Sequence, residues 1–292
     1  MRQDRGMTLL QTDRGDFETI IDGPEDGTVV VLLHGFPELN ISWNHQIPAL
    51  VAAGYRVVAP NQRGYSGSVR DGSYATADLA ADVIAILDAV GAQRAVVVGH
   101  DWGGGVAWTV AQIYPDRLMA LVAMNCPPPQ VLAGRLLRSP RQLRKSWYMF
   151  FFQLPWLPEK FVVRSMPGVL RGGSYVREAW NGENLAPYAE AFATEADAHG
   201  PVNWYRGAFR GVLPKGSPRP TRITEPVLVI WGTHDMFLGL DLVSPEALRG
   251  TLAFPNEATV VPIEAAGHFV QNEAPAAVTE ALVAWLATSA PA

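Results

Sequence analysis

Apolar, β-branched runs recur along this chain at a spacing that leaves room for a helix between most of them, and this rhythm restricts the fold more than any other feature. TVVVLLHG (28–35), YRVVAPN (55–61), RAVVVGH (94–100) and RLMALVAMN (117–125) each read as a buried strand. Between the second and third, TADLAADVIAILDAVGA sets Leu79, Val83, Ile86, Leu87 and Val90 at helical spacing, and Gly91 stands where a helix C-cap belongs. Strands that alternate with helices predict a mostly parallel sheet with helices on both faces. Strands resume at PVLVIWG (226–232) and ATVVPIE (258–264), and APAAVTEALVAWLA (274–287), with Pro275 in its first turn, predicts a closing helix.

The rhythm breaks between about 127 and 222. Pro127, Pro128 and Pro129 open this stretch, and LPKGSPRPTRITEP, dense in Pro and Gly, closes it as a linker would. Inside it, SWYMFFFQLPWLPEKF and PVNWYRGAF are aromatic-rich and do not alternate as strands do. The expected organisation is therefore a core built from 1–126 and 223–292, with a helical cap insert at 127–222. An insert between strands lies where it can roof the sheet's carboxyl edge, the place where open α/β sheets bind ligands.

A chain of 292 residues with 48% hydrophobic and 17% charged residues has a globular composition and buries a sizeable core. Its net charge of −5 and the absence of a Lys/Arg run predict neither a nucleic-acid partner nor a membrane one. One cysteine, Cys126, cannot form an intrachain disulfide, and no apolar run reaches the roughly 18 residues of a membrane span; a cytoplasmic protein is expected. The scattered histidines form no HExxH or CxxC pattern, so no metal is expected. GYSGS and GGG lack the endings of phosphate loops, and no cofactor is expected either.

Chemistry concentrates in VVVGHDWGGGVA (96–107), where a strand, a glycine-flanked turn and the start of a helix carry Asp101 in the seat of a nucleophile. Taken alone, Asp101 reads equally well as a cap of the following helix. Other placements shift the balance. Asp235 ends GTHD after one late strand and His268 lies in AAGHF after the next, giving the chain order nucleophile, acid, histidine. HGFPE (34–38) follows an early strand, so the N–H of Phe36 can join that of Trp102 as an oxyanion hole. Glu38 is expected to tie down its loop, and the other five histidines to serve packing, backbone hydrogen bonds or the surface.

With these motifs the chain resembles the α/β-hydrolases, and the epoxide hydrolases in particular. The similarity runs from HGFPE through RGYSGS, GHDWGG and WGTHD to GHF, and includes two tyrosine motifs of the insert: Tyr148 in WYMFFFQLPW and Tyr205 in NWYR. The resemblance implies the α/β-hydrolase fold with a helical cap, an epoxide and water as substrates, Asp101, Asp235 and His268 as a triad, and both tyrosines as acids toward the epoxide oxygen. Trp147, Phe151 and Phe152 are expected to line the substrate site. Oligomeric state, and the epoxide itself, are not legible.

A carboxylate nucleophile has a chemical reason. An epoxide's electrophile is saturated carbon: a serine would be converted into an inert ether, whereas a carboxylate forms an ester that water can cleave. Two alternatives share much of this pattern. A dehalogenase uses the same Asp and His but needs N–H donors toward a halide, and Trp147 beside Tyr148 keeps that reading open. A ligand-binding protein on the same fold would be expected to lack a triad or oxyanion element, and none is missing from the sequence.

Overall fold

The computed structural model describes residues 6–210, 220–253 and 257–292. Eight strands form one sheet in the order β1-β2-β4-β3-β5-β6-β7-β8. They are β1 (Met7–Thr12), β2 (Gly15–Asp22), β3 (Val29–Leu33), β4 (Arg56–Pro60), β5 (Ala95–His100), β6 (Leu118–Met124), β7 (Val227–Gly232) and β8 (Thr259–Ile263). From β3 onward all neighbours are parallel, as the buried β-branched runs require. β1 and β2 form an antiparallel hairpin that docks on β4, and nothing in the apolar rhythm announces it. Its first strand is largely exposed, so no buried run marks it.

Alternation along the central strands divides the core into two layers. Val29, Val31, Leu33 and Val97 face one side, while Val30, Leu32, Val96 and Val98 face the other, and all are buried. Of the helices, α1 (Ile47–Ala52) covers the second face, and α2 (Thr76–Ala89) and α3 (Trp102–Ile113) cover the first. Gly91, at φ +75°, ends α2: its N–H donates to the Asp88 carbonyl at 3.1 Å and that of Ala92 to the Leu87 carbonyl at 2.9 Å, a Schellman cap.

Between β6 and β7 the described residues contain helices and turns but no strand: α4 (Pro129–Arg138), α5 (Pro140–Lys145), α6 (Trp147–Phe151), α7 (Leu157–Gly173), α8 (Gly182–Ala191) and α9 (Glu195–Arg210). The expected linker LPKGSPRPTRITEP lies partly outside the described residues, at 213–219. Short α10 (Pro245–Leu248) and α11 (Val270–Glu273) precede α12 (Pro275–Ser289), which packs on β7, β8 and α1. No described helix is long and apolar enough to cross a membrane.

Candidate active site

Asp101 caps α3 with φ +48° and ψ −120°, a conformation that costs a non-glycine residue about 1–3 kcal/mol. The surroundings hold it there: its N–H donates to the Met124 carbonyl at 3.1 Å, and its own carbonyl accepts from Gly105 N–H at 3.0 Å. The turn is also too tight for side chains. A Cβ on Gly99 would lie 2.1 Å from the Gly103 carbonyl oxygen, and one on Gly103 would lie 2.2 Å from that of Leu33. Glycines at these two places let the start of α3 press against β3 and β5, which lifts the Asp101 carboxylate to the carboxyl edge of the sheet.

That carboxylate meets two groups from other loops. Phe36 N–H donates to Oδ1 at 2.9 Å, and His268 Nε2 stands 3.4 Å from Oδ2. Behind the imidazole, Nδ1 lies 2.8 Å from Asp235 Oδ2. Asp235 is itself fixed: Phe237 and Leu238 N–H donate to Oδ1 at 2.7 and 3.0 Å, and the Asn125 amide donates to Oδ2 at 2.7 Å. Burial pushes the Asp101 carboxyl up, but the hydrogen bond and charge of His268 outweigh it and leave the group below its ordinary value. For His268, burial acts downward, yet the Asp235 charge and the hydrogen bonds to both carboxylates hold the imidazole well above the usual histidine range. The resting arrangement is thus an Asp101 carboxylate facing an imidazolium.

Asp101 and His268 open onto a cavity of about 410 Å³ whose lining includes Phe36, Tyr148, Phe152 and Tyr205. The two phenol rings stand 5.8 Å apart, centroid to centroid, Tyr148 on α6 and Tyr205 on α9. The ring of Tyr205 also lies 5.3 Å from that of Phe36 and 4.9 Å from that of Trp102, which seats it beside the Asp101 turn. Burial, reinforced by negative neighbours that include Asp101, pushes both phenols above their ordinary value, so each keeps its proton. Wider grooves of about 740 and 620 Å³ run along α9, but neither contains Asp101 or His268.

The chain is similar along nearly its whole length to known proteins. The α/β hydrolase fold family matches residues 28–275. Epoxide hydrolase A of Mycobacterium tuberculosis is 34% identical, over 95% of this chain and 96% of its own length. The AB hydrolase superfamily protein YfhM of Bacillus subtilis is 36% identical, over 90% of this chain and 92% of its own. This chain belongs to the epoxide hydrolase family. The crystal structure of epoxide hydrolase A from Mycobacterium thermoresistibile, 30% identical to this family member, matches its fold with a TM-score of 0.80 over 96% of this chain and 98% of that one.

Not every expected residue of this epoxide hydrolase family member lies where the sequence suggested. Phe151 is absent from the cavity lining; its ring packs against Trp147, Phe152 and Phe161 at 5.5–6.1 Å. Tyr148 and Phe152, four residues apart, share the inward side, and Phe151, one residue short of that repeat, turns toward α7. Trp147 lines the cavity only at its rim, where it is 59% exposed. Trp102 begins α3, and its backbone N–H makes no hydrogen bond to the resting Asp101 carboxylate among the described residues; the donor present there is Phe36.

Three residues outside the expected site set support it; His100, as expected of the other histidines, makes a backbone hydrogen bond. His100 bridges the two halves of the site, with Nδ1 2.5 Å from Glu38 Oε2 and Nε2 2.8 Å from the His268 carbonyl oxygen. Glu38 also accepts from Gly35 N–H at 3.0 Å, immediately before Phe36, so it does tie down its loop. Asn125, which immediately follows β6, holds Asp235 through its amide N–H and accepts from Gly232 N–H at 3.0 Å. Glu273, buried on α11, accepts from Gly267 and Phe269 on either side of His268, at 2.9 and 3.0 Å, and from Tyr175 and Val176, both at 2.8 Å. One carboxylate therefore ties the His268 loop to the helical segment.

A residue with that many dependants should matter to stability. Each buried donor left without a partner costs about 1–3 kcal/mol. Glu273→Ala is expected to destabilise the fold by about 3 kcal/mol or more, read as a lowered urea midpoint at unchanged slope. A loss below about 1 kcal/mol, the effect of an average substitution, would show that water replaces the carboxylate freely.

Proposed function

We propose that the protein adds water to an epoxide to give a vicinal diol through a covalent Asp101 ester. The observation that carries this reading is that the Asp101 carboxylate and the phenols of Tyr148 and Tyr205 line one largely apolar cavity. The carboxylate selects saturated carbon as electrophile. Attack on a strained ring releases an alkoxide, too basic to leave without a proton; Tyr148 and Tyr205 supply the hydrogen bonds and that proton.

In the second step water attacks the ester carbonyl, the Asp101 oxygen facing Phe36 N–H becomes the oxyanion, and His268 removes the water's proton. The electrostatics suit this order. Esterification removes one of the two carboxylates that raise the His268 pKa, so the imidazole becomes easier to deprotonate when a neutral base is needed. Asp235 remains to hold the tautomer and to stabilise the imidazolium formed during hydrolysis.

The dehalogenase reading is weakened by the rim position of Trp147, which is 59% exposed, whereas Tyr148 and Tyr205 line the cavity with Asp101. The non-enzyme reading is weakened by the triad contacts described above. Offering an aryl epoxide and a haloacid in parallel separates the cases: diol formation without halide release is expected. Halide release without diol would assign the site to dehalogenation, and neither product would leave it without the proposed chemistry.

A further inference from the structure

Charge is segregated along this chain. Between Pro127 and Arg177 there are nine basic residues and a single acid, so this stretch carries +8 while the rest of the molecule carries −13. The single acid, Glu159, is buried against Arg206 at 2.7 Å and does not face solvent. Arg135 pairs with Asp241. Arg138, Arg141, Arg144, Arg164 and Arg171 are exposed and form no ion pair among the described residues. These basic residues are dispersed, several of them three positions apart, so a search for consecutive Lys/Arg does not detect them.

The same segment concentrates exposed apolar surface. Of the twelve large hydrophobic side chains most open to solvent among the described residues, seven lie between Leu143 and Phe161, and Trp147 and Trp156 are each 59% exposed. Ring contacts join part of them into one surface: Trp147 meets Phe151 at 6.1 Å, and Phe151 meets Phe161 at 5.5 Å. Lys160 Nζ lies 5.1 Å from the centre of the Trp156 ring. On α7, Phe161, Arg164, Gly168 and Arg171 recur at helical spacing on one exposed side. Of the exposed members of the cavity lining, Arg144, Trp147, Phe161, Gly168 and Gly172 lie in this segment and Met236 lies outside it, so this basic and aromatic face borders the opening of the cavity.

We infer that this face of the helical segment docks on an anionic lipid bilayer, with Trp147 in the headgroup layer and the arginines against lipid phosphates. Tryptophan prefers that layer because its ring is apolar and its N–H needs a polar partner. Arginines rimming an apolar patch add electrostatic attraction to anionic lipids. A protein partner seated on the same face would close the opening of the cavity. A fluid bilayer would instead place the opening against the hydrocarbon in which apolar compounds dissolve. The docking itself does not depend on the reaction; the advantage of an opening that faces the bilayer rests on the proposed hydrolysis.

Flotation of the purified full chain with vesicles tests this without turnover, so failure of docking and failure of the proposed reaction are separate results. Binding to equimolar phosphatidylcholine and phosphatidylglycerol is expected to exceed binding to phosphatidylcholine alone by about tenfold or more, and to weaken with added salt. The double variant Arg164→Glu, Arg171→Glu lies outside the cavity lining; it should keep the thermal midpoint and lose about tenfold or more in vesicle binding. Arg138→Glu with Arg141→Glu should act in the same direction, which protects the test should the first variant fold poorly. Equal binding to both vesicle types, or binding unmoved by either charge reversal, would overturn the inference. So would a dimer in light scattering that these reversals dissociate while no vesicle binding is seen, since the face would then belong to a second copy.

Discussion

A protein in which His268 is replaced by glutamine should consume about one equivalent of epoxide and stop. In the proposed sequence the imidazole acts only after the ester has formed. Asp101 is already ionised, is oriented by Phe36 N–H, and needs no base to attack carbon. Glutamine preserves some of the bulk and polarity beneath Asp101 but cannot take a proton from water, so the ester should persist. Turnover is expected to fall by about 10⁴ or more, as when a triad base is removed. Intact mass should rise by the mass of one substrate molecule, on the peptide that contains Asp101. Unimpaired turnover would remove His268 from the mechanism; a variant that loses turnover without any adduct would mean that the histidine is needed for attack itself.

Loss of the phenols should strike the other half of the cycle. Tyr148→Phe and Tyr205→Phe each remove one hydroxyl and nothing of the ring contacts that seat the residue. General-acid assistance is worth about 10²–10⁴ in rate, so each single variant should slow ester formation by a part of that range, and the double variant should nearly abolish it. Ester hydrolysis needs no acid toward the epoxide oxygen and should be unchanged. Rapid mixing that resolves ester formation from decay is the measurement. A double variant that opens the ring at the normal rate would return both tyrosines to packing, and would revive a leaving group that needs no proton.

Much of the architecture could be read from the chain because burial and periodicity coincide. Six parallel strands announce themselves as short β-branched runs, and α2 as an apolar stripe ended by Gly91. The β1–β2 hairpin did not, since its outer strand is an exposed edge whose residues need not be apolar. At the site, Asp101, Asp235 and His268 were legible because each follows a strand at the carboxyl edge, where chain order alone brings them near one another. Phe151 was misplaced because an unbroken aromatic run gives no sign of which side of a short helix faces the cavity. Asn125 reaches Asp235 across 110 positions of sequence and His100 reaches the His268 carbonyl across 168, while Glu273 acts by gathering backbone N–H groups. Such partners leave no local pattern; only the fold brings them together.

The decisive measurement is a single turnover in heavy-oxygen water, with protein in excess over epoxide. The ester mechanism predicts that the first diol carries light oxygen from the Asp101 carboxylate, while the heavy atom appears in the peptide containing Asp101. Heavy oxygen in that first diol, with an unlabelled carboxylate, would mean that water attacks the ring directly and that Asp101 is not the nucleophile.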